Sequence, residues 1–154
     1  MTLNLESPSF RHENPIPEQF SGEGEDRSPF LKWNNAPEGT AEFALICEDP
    51  DAPVPEPWVH WLVYNIPSSY GSLSEDFPRK KEVETVHQGL NSWSKVGYNG
   101  PLPPRGHGRH HYHFKLYALD NPIAIRQGAT KSELLSAISG HVLEEADLVG
   151  TYQR

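Results

Sequence analysis

The sequence predicts a mainly β domain with one helical region near its C-terminus. Three observations carry that prediction: a set of apolar runs with strand-like composition, turn residues spread between them (fifteen prolines and twelve glycines in 154 residues), and a single segment whose apolar residues recur at helical spacing. The length is that of one ordinary domain, so residues 1–154 are expected to form a single unit.

Taken in order, the first forty residues read as brief strands and ordered loops. "SPSF", "NPIPEQFSGEG" and "RSPFLKWNNAPEG" are short apolar pieces broken by Pro, Gly and Asn, with no helix signal. "AEFALICEDPD" from Ala41 is a compact apolar run ended by a proline, and "PWVHWLVYNIP" from Pro57 is rich in aromatic and β-branched residues; both read as central strands. In the second, alternation puts His60, Leu62, Tyr64 and Ile66 on one face and Val59, Trp61, Val63 and Asn65 on the other. Residues 68–98 are polar and irregular, and "SEDFPRKKEVE" reads as an exposed connection. "HYHFKLYALD" alternates strongly, with Tyr112, Phe114, Leu116 and Ala118 on the buried side and His111, His113, Lys115 and Tyr117 opposite. One step back, the same parity turns His110 toward the Tyr112 side. Near the end, Thr130 and Glu133 in "TKSE" have the spacing of a capping box, and Leu134, Leu135, Ile138 and Val142 come after them at helical period. Gly140 is a candidate break in that segment, and "LVGTY" a candidate short closing strand. No internal repeat is visible.

Thirteen basic against twenty-one acidic residues leave a formal charge of −8, which argues against a general role on nucleic acid or anionic membrane. Any anion binding must then be local, built from backbone N–H groups and histidines. The single cysteine, Cys47, lies in "FALIC" and reads as a buried thiol, which suggests a reducing compartment. "MTLNLESPSF" lacks the basic and apolar regions of a signal peptide, and no apolar run approaches the roughly 20 residues that span a bilayer, so a cytoplasmic protein is expected.

Two places could carry chemistry. In "EDPDAP", Pro50 and Pro53 stiffen the backbone and fix where Asp49 and Asp51 point; solvated turn carboxylates are the plain alternative. The stretch "GYNGPLPPRGHGRHHYHFKLYALD" from Gly97 crowds prolines, glycines and four histidines together, and a metal site, an anion pocket and a turn-rich loop all compete for it. A metal site needs convergence that strand parity denies to His110, His111 and His113 together. "RGHGRH" lacks the GK[ST] ending of a phosphate-binding P-loop and leads into a strand. Gly106 and Gly108 would let backbone N–H groups approach a ligand, while Pro101, Pro103 and Pro104 wall the loop. His107, His111 and His113 read as ordinary surface histidines. There is no G-x-S-x-G elbow of a serine hydrolase.

Taken together, "DPDAP", "WVHWLVYNIP", the Gly97–Asp120 stretch and "GHVLEEADLVGTYQR" resemble the phosphatidylethanolamine-binding protein family, in its bacterial and archaeal branch related to Raf kinase inhibitor proteins; "IPEQFSGEG" and "SPFLKW" add to the match, which spans nearly the whole chain. The resemblance implies a Greek-key β-sandwich with a C-terminal helical region and a small pocket for phosphate-like groups, without implying an enzyme. Carried over by position, it implies ligand-binding roles for Asp49, Asp51, Pro53, Trp58, His60, Gly100, Pro101, His110 and Tyr112. No cofactor and no metal are expected. As partners the resemblance implies a small anionic or phosphorylated ligand and leaves room for a kinase or protease and for a homodimer, while the net charge and the lack of a bilayer-length apolar run argue against nucleic acid and integral membrane association. Departures stand at Leu102, where the branch often has Cys, at His111, where Arg is frequent, and at Trp93, where a smaller residue is common.

Two carboxylates in an anion site need a physical account, because like charges a few Å apart cost on the order of several kcal/mol when poorly solvated. The expectation is that the aspartates orient His60 and Tyr112 and favour a protonated histidine that donates to phosphate, or that a ligand brings its own proton or ammonium. Phosphate affinity should then fall as pH rises above about 6.5. The competing class is a hydrolase that uses the Asp pair and the pocket histidine as acid and base.

Overall fold

The computed structural model describes residues 2–154. A three-stranded sheet, β1 (Asn4–Glu6), β3 (Leu31–Asn34) and β6 (Ser72–Leu73), faces a seven-stranded one in the order β2 (Asn14–Pro15), β10 (Val142–Tyr152), β9 (His110–Leu119), β4 (Glu42–Asp49), β5 (Trp58–Pro67), β8 (Val86–Gln88) and β7 (Glu82–Val83). All pairings are antiparallel except β2 on β10. The spatial order β9-β4-β5-β8 has Greek-key form: β4, β5 and β8 lie side by side, with β6 and β7 intervening in the chain before β8, and β9 returns beside β4.

β4 is buried along all eight residues, as a central strand covered on both faces must be. Phe43, Leu45 and Cys47 point into the core between the sheets, with Leu5, Leu31, Trp33, Trp61 and Phe114. Ala44 and Ile46 point the other way, under α1 (Lys131–Ile138), the one α-helix among the described residues, with Leu62, Tyr64, Leu134 and Ile138. The capping box read from "TKSE" forms: the Thr130 hydroxyl accepts the Glu133 N–H at 3.3 Å and the Glu133 carboxylate accepts the Thr130 N–H at 3.1 Å.

Three local expectations are corrected. The first forty residues contain one 3-10 turn, Glu18–Phe20. The helix stops at Ile138 because Gly140 takes φ +82° beyond its C-cap, and the chain then enters an eleven-residue strand rather than more helix and a short closing piece. That strand pairs with β9 from end to end apart from a register shift at Leu143, leaving Val142 and Leu143 exposed. In β5, strict alternation fails twice, because one extra residue at each bulge reverses the faces. At Asn65 (φ +53°) the bulge moves Ile66 into the inter-sheet core, away from Leu62 and Tyr64. At His60 it places Val59 under the helix and turns the imidazole toward Tyr112 of β9, 5.1 Å away between ring centres.

Candidate functional site

The β5 bulge is fastened by the loop after β8. The Ser92 hydroxyl accepts the Val59 N–H at 2.7 Å, the Val59 carbonyl accepts the Ser92 N–H at 2.9 Å, and the His60 carbonyl accepts the Asn99 N–H at 3.1 Å. Backbone groups that the bulge removes from the ladder are thus satisfied from outside it. The same loop is knit by Asn91, whose side-chain oxygen accepts the Trp93 N–H at 2.9 Å and whose amide donates to the Gly97 carbonyl and to Asn99.

His60, so turned, lines a cavity of about 220 Å³ with Asp49, Pro53, Trp58, Trp93, Leu102, Pro103, Pro104, His110 and Tyr112 among its walls. Three chain segments meet there: the turn after β4, the start of β5, and the loop that enters β9. Trp93 stands edge-on to both Trp58 (5.4 Å) and His60 (5.1 Å), and His60 edge-on to Tyr112, so the aromatic wall fixes itself. Burial pushes the Tyr112 hydroxyl well above its ordinary range, helped by nearby Asp49.

Each imidazole has a defined role. The Nδ1–H of His60 donates to the Asn99 carbonyl at 2.6 Å, which leaves Nε2 as the free nitrogen. Burial holds this ring at a pKa of about 4, against the opposing pull of the Asn99 carbonyl and of Asp49 and Asp26, so at neutral pH it is uncharged and offers an acceptor. His110 is 1% exposed, and its Nδ1–H donates to one oxygen of Asp49 at 2.7 Å. The other Asp49 oxygen accepts the Asp51 N–H at 2.8 Å. Both oxygens of this carboxylate, on a residue 2% exposed, are therefore engaged by donors. His110 Nε2 lies 2.6 Å from Nδ1 of His107, a residue on the exposed loop.

Of the nine residues proposed from sequence, Asp49, Pro53, Trp58, His60, His110 and Tyr112 come together around the cavity, while Asp51, Gly100 and Pro101 do not line it. Asp51 is exposed and accepts both the backbone N–H (2.8 Å) and the ring Nδ1–H (2.7 Å) of His111, pinning the turn to the edge of β9. Partial burial alone would raise its carboxyl pKa, but the two His111 donors outweigh that and leave it below the ordinary value. Gly100 sits behind the wall: its N–H donates to Asp26 at 2.7 Å, and a Cβ there would stand 2.0 Å from the Phe20 carbonyl oxygen. The Pro101 carbonyl accepts the Gly22 N–H at 2.8 Å. The expected orientation of His60 by an aspartate is also corrected, since Asp49 holds His110 and a backbone carbonyl holds His60.

Sequence reasoning missed Asp26, which anchors Asn99 and Gly100 from a distant segment, and the contact of His107 with His110. Neither has a local signal. Among the described residues no Lys or Arg lines the cavity, and no group of three or more His, Cys, Asp or Glu side chains is placed to hold a metal ion. No helix among them is long and apolar enough to cross a membrane.

Comparison with known proteins agrees with this geometry. A UPF0098 protein of Aquifex aeolicus is 43% identical over 153 residues, 99% of this chain and 89% of its own. The crystal structure of a phosphatidylethanolamine-binding protein (PEBP) homolog from Chlamydia trachomatis is similar at a TM-score of 0.89 and 37% identity, covering 99% of this chain and 98% of that one. That of E. coli YbcL, described as a new member of the mammalian PEBP family, is similar at 0.93 and 29%, covering 100% and 99%. With the family model matched over residues 6–153, the chain belongs to the phosphatidylethanolamine-binding protein family.

Proposed function

We propose that this protein binds a small ligand carrying a phosphate-type group in the cavity at Asp49, His60 and His110, as a ligand-sensing module that performs no turnover. The observation that carries the reading is the pair of buried imidazoles: His60 neutral, with Nε2 as an acceptor, and His110, whose Nδ1–H is committed to Asp49 so that Nε2 is the nitrogen left to meet a ligand. A phosphate group that keeps one proton supplies a donor for the first and, when the His110 ring carries both its protons, acceptors for the second. With His60 uncharged and no Lys or Arg in the wall, a ligand oxygen that meets His110 as an acceptor needs that ring to carry both its protons, so binding weakens as pH rises. The pocket is also small enough to take a headgroup rather than a polymer.

Two features support binding over acid-base hydrolysis. Asp49 and Asp51 are directed at different histidines and cannot share one substrate, and the hydroxyl in the wall is that of Tyr112, which burial keeps protonated. A regulatory partnership with a kinase or protease needs no turnover and is compatible with this role.

NMR titration with inorganic phosphate and phosphoethanolamine at pH 6 and pH 8 tests the reading. Shifts confined to the cavity, weaker at the higher pH and about ten- to a hundredfold weaker in His110→Ala, are expected. Binding that ignores pH and survives His110→Ala rules the site out, and Asp49-dependent hydrolysis of phosphoesters would replace the binding role with a catalytic one.

A further inference from the structure

His110 has two ring nitrogens, and both are occupied. Asp49 takes Nδ1, and His107 takes Nε2 at 2.6 Å with its own Nδ1. Any ligand oxygen that bonds to the His110 ring must therefore replace either a buried carboxylate or an exposed histidine. The two partners are not equally held. Asp49 is buried at the end of β4 and fixed through both oxygens. His107 lies in an exposed loop and is held by two hydrogen bonds, its ring contact with His110 and its backbone N–H to the Pro104 carbonyl at 3.2 Å.

The loop is built so that the His107 side of the contact gives way. Gly106 (φ +73°) and Gly108 (φ +95°) flank it, both in the region that glycine reaches at least cost, and nothing stands within 4 Å of where a Cβ would project from either. Tight packing therefore does not demand glycine there; the left-handed backbone on both sides of one histidine does. Just before this hinge the chain is fastened, with the Gly106 N–H donating to the Arg154 carbonyl at 3.0 Å and the Pro103 carbonyl accepting from Arg154 Nε at 2.6 Å. Rotation would thus be confined to the residues that carry His107 and would leave the proline wall in place.

We propose that His107 is a displaceable gate: in the empty protein its imidazole stands in for the ligand at His110 Nε2, and it turns out on the Gly106 and Gly108 hinges when a ligand oxygen takes that nitrogen. The gate makes ligand binding a competition, because the apparent affinity is the intrinsic one reduced by the fraction of protein whose His110 is free. It also keeps the buried His110 nitrogen satisfied while no ligand is present. The identity of the incoming group rests on the phosphate reading above, whereas the gate itself does not.

Two measurements on wild type and His107→Ala separate these claims, with near-UV circular dichroism to verify the fold. In the first, diethyl pyrocarbonate carbethoxylates accessible imidazoles and peptide mass spectrometry reads the rate at each histidine. His110 is expected to react far more slowly than exposed His12 and half-buried His141 in wild type and several-fold faster in His107→Ala; an unchanged His110 rate in the variant overturns the gate. In the second, NMR titration with inorganic phosphate should give about two- to tenfold tighter binding in His107→Ala, the worth of one competing hydrogen bond. Equal or weaker binding in the variant also overturns the gate and makes His107 a residue that holds the ligand or plays no part. Phosphate binding to neither protein removes the phosphate reading, and the carbethoxylation rates then decide the gate alone.

Discussion

Replacing Asp49 tests the frame on which the site depends. Its side chain and that of His110 are 3% and 2% exposed, so solvent screens the pair hardly at all. Asp49→Ala strands the buried His110 Nδ1–H, frees the Asp51 N–H and opens a gap at the end of β4. Breaking a buried, hydrogen-bonded pair on one side costs about 3–5 kcal/mol. Asp49→Asn removes the charge but keeps the shape: its oxygen still accepts the Asp51 N–H, and its amide donates to His110 Nδ1 once that ring shifts its proton to Nε2. What is lost is the charge assistance, about 1–2 kcal/mol. Against a total stability of about 5–15 kcal/mol the alanine change is severe and the asparagine change tolerable. Urea unfolding followed by tryptophan fluorescence reads both. With a slope of about 2 kcal/mol/M, the midpoint falls by about 2 M for alanine and by less than about 1 M for asparagine. Equal midpoints for the two variants, or an alanine shift below about 0.5 M, would refute the assignment of Asp49 as the acceptor that holds His110.

His60 gives stability an acid limb. An unfolded imidazole titrates near about 6.5 whereas burial holds the folded ring at about 4, so the unfolded state takes up the proton first as pH falls. Stability is therefore full above about pH 6.5 and is lost on the way down to pH 4, by on the order of 3 kcal/mol, and His60→Gln should flatten that limb relative to wild type in urea midpoints measured across the window. Gly100→Ala drives a methyl group into the Phe20 carbonyl and should cost about 1–3 kcal/mol or more while displacing the Asn99 carbonyl that orients His60; an unperturbed melting temperature would show that this close approach is not structural.

Much of the site was legible where strands run regularly. β9 pairs without a break from His110 to Leu119 against β10 on one side and over most of its length against β4 on the other, so simple parity turned His110 inward and left His111 and His113 outward. The same rule misplaced His60, because the bulge beneath it depends on Ser92 and Asn99, more than thirty residues away, accepting and donating in place of the ladder. Asp51 looked equivalent to Asp49 in "DPDAP", yet only Asp49 lies at the strand end facing His110, and Asp51 has already turned toward the edge of β9. Helical periodicity ran past Ile138 in the sequence; the full-length ladder offered by β9 outweighs the helix propensity of the residues after Gly140. His107 read as ordinary because an exposed loop histidine has no periodicity to betray a contact three residues on.

The carboxylate in the pocket ceases to be an obstacle to an anion once its hydrogen bonds are counted. Both oxygens of Asp49 are engaged by donors, so its charge is turned toward His110 and the turn at Asp51. The cavity presents an acceptor instead, the free Nε2 of an uncharged His60. This makes a discriminating demand on the ligand, which must carry a proton to offer that nitrogen. Hydrogenphosphate and sulfate have the same charge and nearly the same size, and at neutral pH only the first has an O–H. Under the proposed reading sulfate leaves a buried acceptor unpaired and should bind roughly tenfold or more weakly than phosphate at pH 7, which competitive NMR titration would measure. His60→Phe, which removes the acceptor while keeping a ring against Trp93 and Tyr112, should erase most of that preference. Equal affinity for the two ions in the wild-type protein would mean that His60 does not read the ligand's proton, and that selection rests on the His110 side alone.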